Sequence, residues 1–365
     1  MDSYPAVALL GPRQSGKTTL AKTLGPHYFD LELPEGRTRL DVQWPALIRK
    51  DELIVLDEAQ SWPEIFPRIR SAIDEERQKN GRFLLLGSIS PALMKQVSES
   101  LAGRLSLVEL SPLLLIELTD NQLDDLWLFG GYPEGGIRNP AQFPQWQKDY
   151  LALLTERDLP NWGLPAKPFV TQRLLQMLAA VHGQLWNAHK LSESLGIDSK
   201  TLNTYMGYLT GCFLIRRLEP YYANLKKRLI KSPKIYWRDT GLLHSLLNLA
   251  SFDQLLGHPA AGASWEGFVI EQILCTLSAK GKSAQAFFLR TSDQKELDLI
   301  LDFGQTQWAF EIKLTSCPSP ADVHQFNKTA DLLGAEKRFL VCRIREPIES
   351  EQILVTNLPS VLSLL

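Results

Sequence analysis

The chain has 365 residues, 44% hydrophobic and 22% charged, which is the composition of an ordinary soluble globular protein with room for two or three domains. Its formal net charge of −2 gives no global sign of a nucleic-acid or membrane partner, so any such partner has to be argued from local patches. Four scattered cysteines (Cys212, Cys275, Cys317, Cys342) without a C-x-x-C pair argue against a zinc site and a disulfide scaffold and point to a reducing cytoplasm.

No apolar run approaches the eighteen or so residues of a membrane helix, so no membrane partner is expected. The first apolar strand lies within a few residues of the start, which leaves no room for a signal peptide. That strand, Ala6 to Leu10, runs straight into GPRQSGKT, Gly11 to Thr18, which fits the phosphate-binding template G-x-x-x-x-G-K-[ST]. A nucleoside triphosphate brings dense negative charge to one point. Gly11 and Gly16 let backbone N–H groups turn inward, and Lys17 supplies a mobile cation. Pro12, Arg13, Gln14 and Ser15 complete the loop, Thr18 is expected to give its hydroxyl to Mg²⁺, and Thr19 continues into a helix whose N-terminus adds its dipole. ATP and Mg²⁺ are therefore the expected ligands.

Leu53 to Leu56 reads as a buried parallel strand ending in Asp57 and Glu58. Ligands of α/β sheets bind at the carboxyl ends of strands, so Asp57 is expected to hold Mg²⁺ and Glu58 to polarise the attacking water as general base. Phe83 to Gly87 repeats the strand pattern and ends at Ser88, a candidate γ-phosphate sensor; a serine that merely caps a turn is an equal alternative. Arg104, before the alternating strand Leu105 to Leu110, is a candidate arginine finger, in cis or toward a neighbouring subunit, against the simpler reading of a surface arginine.

The stretches GPRQSGKTTL, LIVLDEAQ, LLLGSIS and LAGRLSLVELSPL, with GGYPE, FLIRRLEPYYANLKKRLIKSPKIYWRDTGLLHSL and SWEGFVIEQIL downstream, resemble the prokaryotic AAA-type ATPase family whose members carry a C-terminal domain long of unknown function. The resemblance covers nearly the whole chain. Similar proteins have a further helix before the P-loop strand, and the start of this chain departs from that pattern.

Past the turn Gly130 to Pro133, helical segments and a proline-marked linker (Pro160, Pro165, Pro168) lead to Leu191–Ile197 and Ser199–Leu209, which have the spacing of a helix-turn-helix with glycine at the turn. From Arg216 to Arg238 eight Lys/Arg stand against one acid, Glu219, interleaved with Tyr221, Tyr222, Tyr236 and Trp237. This is the pattern of a winged helix with a basic wing that binds DNA through segment 216–238. A helical lid docked on the ATPase is the competing reading.

In the last third, Glu296 to Leu301 and Trp308 to Lys313 read as strands flanked by helices. Side chains alternate along a strand, so pairing of the two would bring Asp298 and Glu311 together with Lys313 beside them. This D-x12-E-x-K set resembles the active site of the restriction-endonuclease-like PD-(D/E)XK superfamily, although no proline precedes Asp298. The resemblance implies that Asp298 and Glu311 hold Mg²⁺, that Lys313 acts on the water, and that Glu266 on the preceding helix adds a carboxylate. Structural salt bridging among Glu296, Asp298, Glu311 and Lys313 is the competitor.

The expected fold is α/β: a P-loop NTPase parallel sheet with helices on both faces (1–135), an α-helical linker and winged-helix domain (136–250), and a small α/β restriction-endonuclease-like domain (251–365). The expected function is ATP hydrolysis that acts on or regulates DNA, with a Mg-dependent nuclease at the C-terminus. The alternative is a regulatory NTPase switch whose later domains bind DNA, a protein partner or a second copy of the chain without cleavage.

Overall fold

The computed structural model describes residues 3–87, 100–165, 167–221, 230–293 and 295–365. Its contacts fall into two units. The first comprises Met1–Pro112 with Leu159–Leu164 and Gly211–Phe213, and the second is the remainder.

The first unit is built on a five-stranded parallel sheet of β1 (Ala6–Leu10), β2 (His27–Asp30), β3 (Ile54–Asp57), β4 (Phe83–Gly87) and β5 (Leu105–Glu109), in the order β2-β3-β4-β1-β5. β1, β3 and β4 are buried at every position, as continuously apolar central strands must be. Helix α1 (Lys17–Leu24) sends Ala21 against Val7, Leu9, Val55, Leu84 and Leu86 on one face. On the other face α2 (Pro34–Leu47) and α3 (Ile65–Glu75) pack Leu40, Phe66 and Ile69 against Ala8, Leu56 and Phe83. Pro34 stands in the first turn of α2, where its missing N–H costs nothing. This parallel sheet places the ends of β1 and β3 on one side, with only β4 between them.

The second unit begins with helices α4 (Leu123–Phe129), α5 (Gln145–Leu153), α6 (Pro168–Ala180), α7 (Ala188–Leu195) and α8 (Ser199–Gly211). Asn187 caps α7 through Lys190 N–H, and Gly196 ends it in the left-handed conformation at φ 68°. The hairpin β6 (Ile215–Pro220) and β7 (Lys234–Trp237) follows, then α9 (Thr240–Leu246), α10 (Phe252–Leu256) and α11 (Ala261–Ala279). The chain closes with β8 (Gln285–Arg290), β9 (Glu296–Asp302), β10 (Gln307–Ile312), α12 (Pro320–Leu333), β11 (Lys337–Val341), β12 (Ile348–Glu349), β13 (Leu354–Thr356) and α13 (Leu358–Leu364). Helix α11 lays Trp265, Phe268 and Ile273 on one face of the resulting sheet, against Leu299, Phe310 and Phe339, and α12 lays Phe326 and Ala330 on the other.

That sheet has eight strands in the order β12-β13-β11-β10-β9-β8-β6-β7. Strand β6 runs parallel to β8, with Glu219 level with Phe287 and Pro220 with Phe288. The hairpin expected as a basic wing is thus an edge of the C-terminal sheet, and the regions expected as domains 136–250 and 251–365 fall in one unit apart from Leu159–Leu164 and Gly211–Phe213. The pairing of β6 with β8 joins strands on either side of residue 250.

Candidate functional site

The P-loop leaves β1 at Gly11, where a Cβ would stand 2.3 Å from the carbonyl oxygen of Leu110, so the loop can pass there only as glycine. Gln14 (φ 61°) and Gly16 (φ 95°) bend it in left-handed conformations, and Lys17, Thr18 and Thr19 open α1. Lys17 is buried and donates from Nζ to the carbonyls of Gly11 (3.0 Å) and Pro12 (2.7 Å), which stand where phosphate oxygens would be its partners. Burial lowers its ammonium to about 8, against the upward pull of Glu58 and Asp57. Ser15 Oγ is buried and, among the described residues, has no hydrogen-bond partner. An orphaned hydroxyl, a cation satisfied only by loop carbonyls and a helix N-terminus together suit a triphosphate.

At the end of β3, Asp57 Oδ2 accepts from Thr18 Oγ1 at 2.7 Å and from the Tyr28 hydroxyl at 2.7 Å. Glu58 follows in a left-handed conformation (φ 48°) that is uncommon for a residue with a side chain, and its carboxylate accepts from Gln60 Nε2. Burial and the neighbouring Asp57 raise the Glu58 carboxyl above the usual range. Thr18 and Asp57 are therefore joined as a Mg²⁺ site requires, with Glu58 next to them. Tyr28 and Gln60 escaped the sequence reading; for Tyr28, nothing in the local pattern marks a partner on another strand.

Two further candidates fare differently. Ser88 follows the last residue of β4, the strand between β1 and β3, and lies outside the described residues. Arg104 forks onto Asp74, Nε to Oδ1 at 2.8 Å and Nη2 to Oδ2 at 2.9 Å, so in this structure its guanidinium is held in an ion pair with α3.

In the second unit the basic segment does not form one outward surface. Arg216 and Arg238 both close on buried Glu271, with Nε–O distances of 2.6 Å each. Lys234 is 3% exposed, and Tyr236 and Trp237 are 1% exposed, so neither ring is a stacking platform. Arg217 pairs with Glu219 at 3.4 Å, Tyr221 is half-buried and Lys231 is exposed. Tyr222, Lys226, Lys227 and Arg228 lie outside the described residues. The charge count treated every cation as available, but Arg216, Lys234 and Arg238 belong to the interior.

Strands β9 and β10 pair antiparallel up to Leu299 opposite Phe310, which puts Asp298 level with Glu311 at the next step. Asp298 Oδ2 accepts Ile312 N–H at 2.9 Å, Glu311 Oε1 lies 3.4 Å from Lys313 Nζ, and Lys313 also reaches Asp322 at 3.4 Å. Burial pushes Glu311 up to about 7 and raises Asp298 well above the usual carboxylate range, with Glu266 adding to both. Glu311 Oε2 has no hydrogen-bond partner among the described residues. Glu266, however, accepts from Lys234 Nζ at 2.8 Å and from the Tyr236 hydroxyl. Among the described residues of this unit, no three His, Cys, Asp or Glu ligand atoms lie within 4.8 Å of one another. Asp298 and Glu311 are thus level in register, while Glu266, on α11, is paired with Lys234.

The first unit, with its strand, phosphate loop, helix and Asp57–Glu58 pair, is that of an AAA-type P-loop ATPase, and an AAA domain matches residues 3–119. The chain belongs to one family with the uncharacterized proteins Mb2031c of Mycobacterium bovis and Rv2008c of Mycobacterium tuberculosis: each is 39% identical over 366 residues, covering 97% of this chain and 82% of that protein. Residues 120–253 match a domain of unknown function, DUF8612, and residues 261–361 match another, DUF4143. Among solved structures the chain is similar to a RuvB variant of Thermotoga maritima (17% identity, 58% of this chain and 82% of that one, TM-score 0.25). It is also similar to the transcriptional regulator PA3341 (20% identity, 38% and 93%, TM-score 0.17); neither score is high enough to bear on fold or function. Among the described residues no helix is long and apolar enough to cross a membrane.

Proposed function

We propose that this chain binds and hydrolyses ATP with Mg²⁺ at the P-loop and uses that cycle to act on or regulate DNA. The observation that carries the first half is Lys17, Thr18, Asp57 and Glu58 gathered at the ends of β1 and β3, with the Lys17 ammonium donating, among the described residues, to two loop carbonyls. Mg²⁺ held by Thr18 and Asp57 would neutralise charge developing between the β- and γ-phosphates. The backbone N–H groups of the loop, all but that of Pro12, which has none, would cradle phosphate, Lys17 would meet its oxygens, and Glu58 would take up a proton from the attacking water. Phosphate release from the parent protein, abolished in Lys17→Ala, tests this directly.

The DNA half rests on the helix, glycine turn, helix and hairpin order of α7 to β7 and on the run Lys226, Lys227 and Arg228 in the sequence between the two strands. Replacing Lys226, Lys227 and Arg228 with Ala should lower the slope of log affinity against log salt by roughly two to three units. An unchanged slope would remove DNA from this segment.

A second reading concerns the C-terminal module: it holds DNA or a protein partner without cutting it. The position of Lys234 among the acids favours this over a Mg-dependent nuclease at Asp298, Glu311 and Lys313. Cleavage of single-stranded, duplex or branched DNA that Asp298→Asn abolishes would refute it.

A further inference from the structure

Lys234 opens β7, and its side chain is 4% exposed. Its Nζ lies 2.8 Å from Glu266 Oε1 on α11, 2.6 Å from Glu296 Oε1 and 3.7 Å from Asp298 Oδ1, both on β9. The Tyr236 hydroxyl donates to the same oxygen of Glu266, and the Phe288 ring lies 5.5 Å from the ammonium. Asp298 Oδ2 is already taken by Ile312 N–H. An ammonium offers three donors and here meets three carboxylates.

A hard divalent cation seeks the same oxygens, at about 2.0–2.1 Å for Mg²⁺, and cannot approach them while a buried Nζ lies between. Three carboxylates lie within 3.7 Å of Nζ, the arrangement an ammonium requires in place of a neutral amine. The cluster therefore carries its own cation, supplied by a strand that the sequence assigns to another domain.

We infer that Lys234 is the resident cation of the Glu266–Glu296–Asp298 cluster, and that its ammonium holds the Asp298 carboxylate which the restriction-endonuclease-like resemblance gives to a divalent metal. The parent chain then binds no Mg²⁺ or Mn²⁺ there, and removing the ammonium opens a site for such an ion. The inference deepens the second reading above, in which the module does not cleave, and rests on it only for its functional meaning.

The test is Mn²⁺ binding to the full chain without nucleotide, read as loss of the free-ion electron paramagnetic resonance signal. Every protein carries Asp57→Asn to silence the P-loop. Asp298→Asn should leave the titration of the parent unchanged, Lys234→Met should gain one bound Mn²⁺, and Asp298→Asn added to Lys234→Met should lose it again. Lys234→Arg keeps a cation and should gain none.

A Mn²⁺ of the parent that Asp298→Asn removes would overturn the inference, as would a folded Lys234→Met that gains no ion. Should Lys234→Met not fold, the parent and Asp298→Asn decide alone: identical titrations uphold the inference and a lost ion ends it. DNA cleavage by a parent chain that binds no Mn²⁺ would sink the non-cleaving reading and leave Lys234 where the inference puts it.

Discussion

Tyr28 donates its hydroxyl proton to Asp57 Oδ2 over 2.7 Å, on the same oxygen that Thr18 reaches. With the Lys22 ammonium 4.9 Å from its ring centre, Tyr28 links α1, β2 and β3 at the point where Mg²⁺ is expected. A hydrogen bond to a charged group contributes about 1.5–3 kcal/mol. Tyr28→Phe keeps the ring and removes only the donor, so ATP turnover should fall about tenfold while nucleotide affinity in EDTA stays unchanged. Turnover equal to that of the parent at every Mg²⁺ concentration would show that the bond only packs.

Lys17 and Glu58 should fail in different ways. Lys17→Ala removes the cation and should abolish nucleotide binding. Glu58→Gln should still bind Mg·ATP but lose about a hundredfold or more in hydrolysis, because only the proton acceptor is gone. Nucleotide titration beside phosphate release separates the two. Equal binding losses would place Glu58 in the cradle and leave the water without this base.

Gly11 and Gly16 are both in the P-loop for different reasons. A Cβ on Gly11 would meet Leu110 O at 2.3 Å, whereas one on Gly16 meets nothing within 4 Å and suffers only from φ 95°. Gly11→Ala should therefore lower the melting temperature more than Gly16→Ala, with about 1–3 kcal/mol from overpacking against about 1–2 kcal/mol of backbone strain. Thermal unfolding of the two variants side by side checks the order.

Glu271 gives the second unit its acid sensitivity. Burial alone would raise its carboxyl, but Arg216 and Arg238 bring it down to about 2 from 4.5. A depressed folded-state pKa stabilises fully above the unfolded value, so this contribution is present above pH 4.5 and is lost as pH falls through that window toward 2. Glu271→Gln should cost about 3–5 kcal/mol at pH 7 and flatten the decline between pH 4.5 and 2. Urea unfolding at pH 7, 4 and 3 measures both; an acid limb as steep in the variant would assign the loss to other carboxylates.

The sequence carried those parts of the molecule whose partners lie close along the chain or whose pattern is continuous. The P-loop, the strand ending at Asp57 and Glu58, and the paired strands around Asp298 and Glu311 are of this kind. Helix α2 has no such pattern, because its buried residues, Leu40 and Leu47, are too few to set a period. Tyr28 and Lys234 act across strands and helices far apart in sequence, and no local pattern encodes that. For Lys234 a weak clue did exist: its neighbours Ile235, Tyr236 and Trp237 are all large and apolar in character, which marks a strand buried on both faces where a surface cation is out of place. Counting charge without asking which side of the strand each residue takes turned interior ion pairs into a basic patch.

The parallel seam between β6 and β8 fixes how the protein can be taken apart. A fragment cut near residue 250 and carrying only the later strands would leave the outer edge of β8 with its main-chain groups unpaired, beside Glu266, Glu296 and Asp298 deprived of Lys234. An open strand edge invites pairing with a second chain, and buried Asp298 and part-buried Glu266 without their cation resist folding, while Glu296 keeps only Arg290, so such a piece is prone to aggregate for reasons unrelated to its chemistry. Expression boundaries that keep residues 214 to 365 with the preceding helices of the same unit preserve both the sheet and its cation.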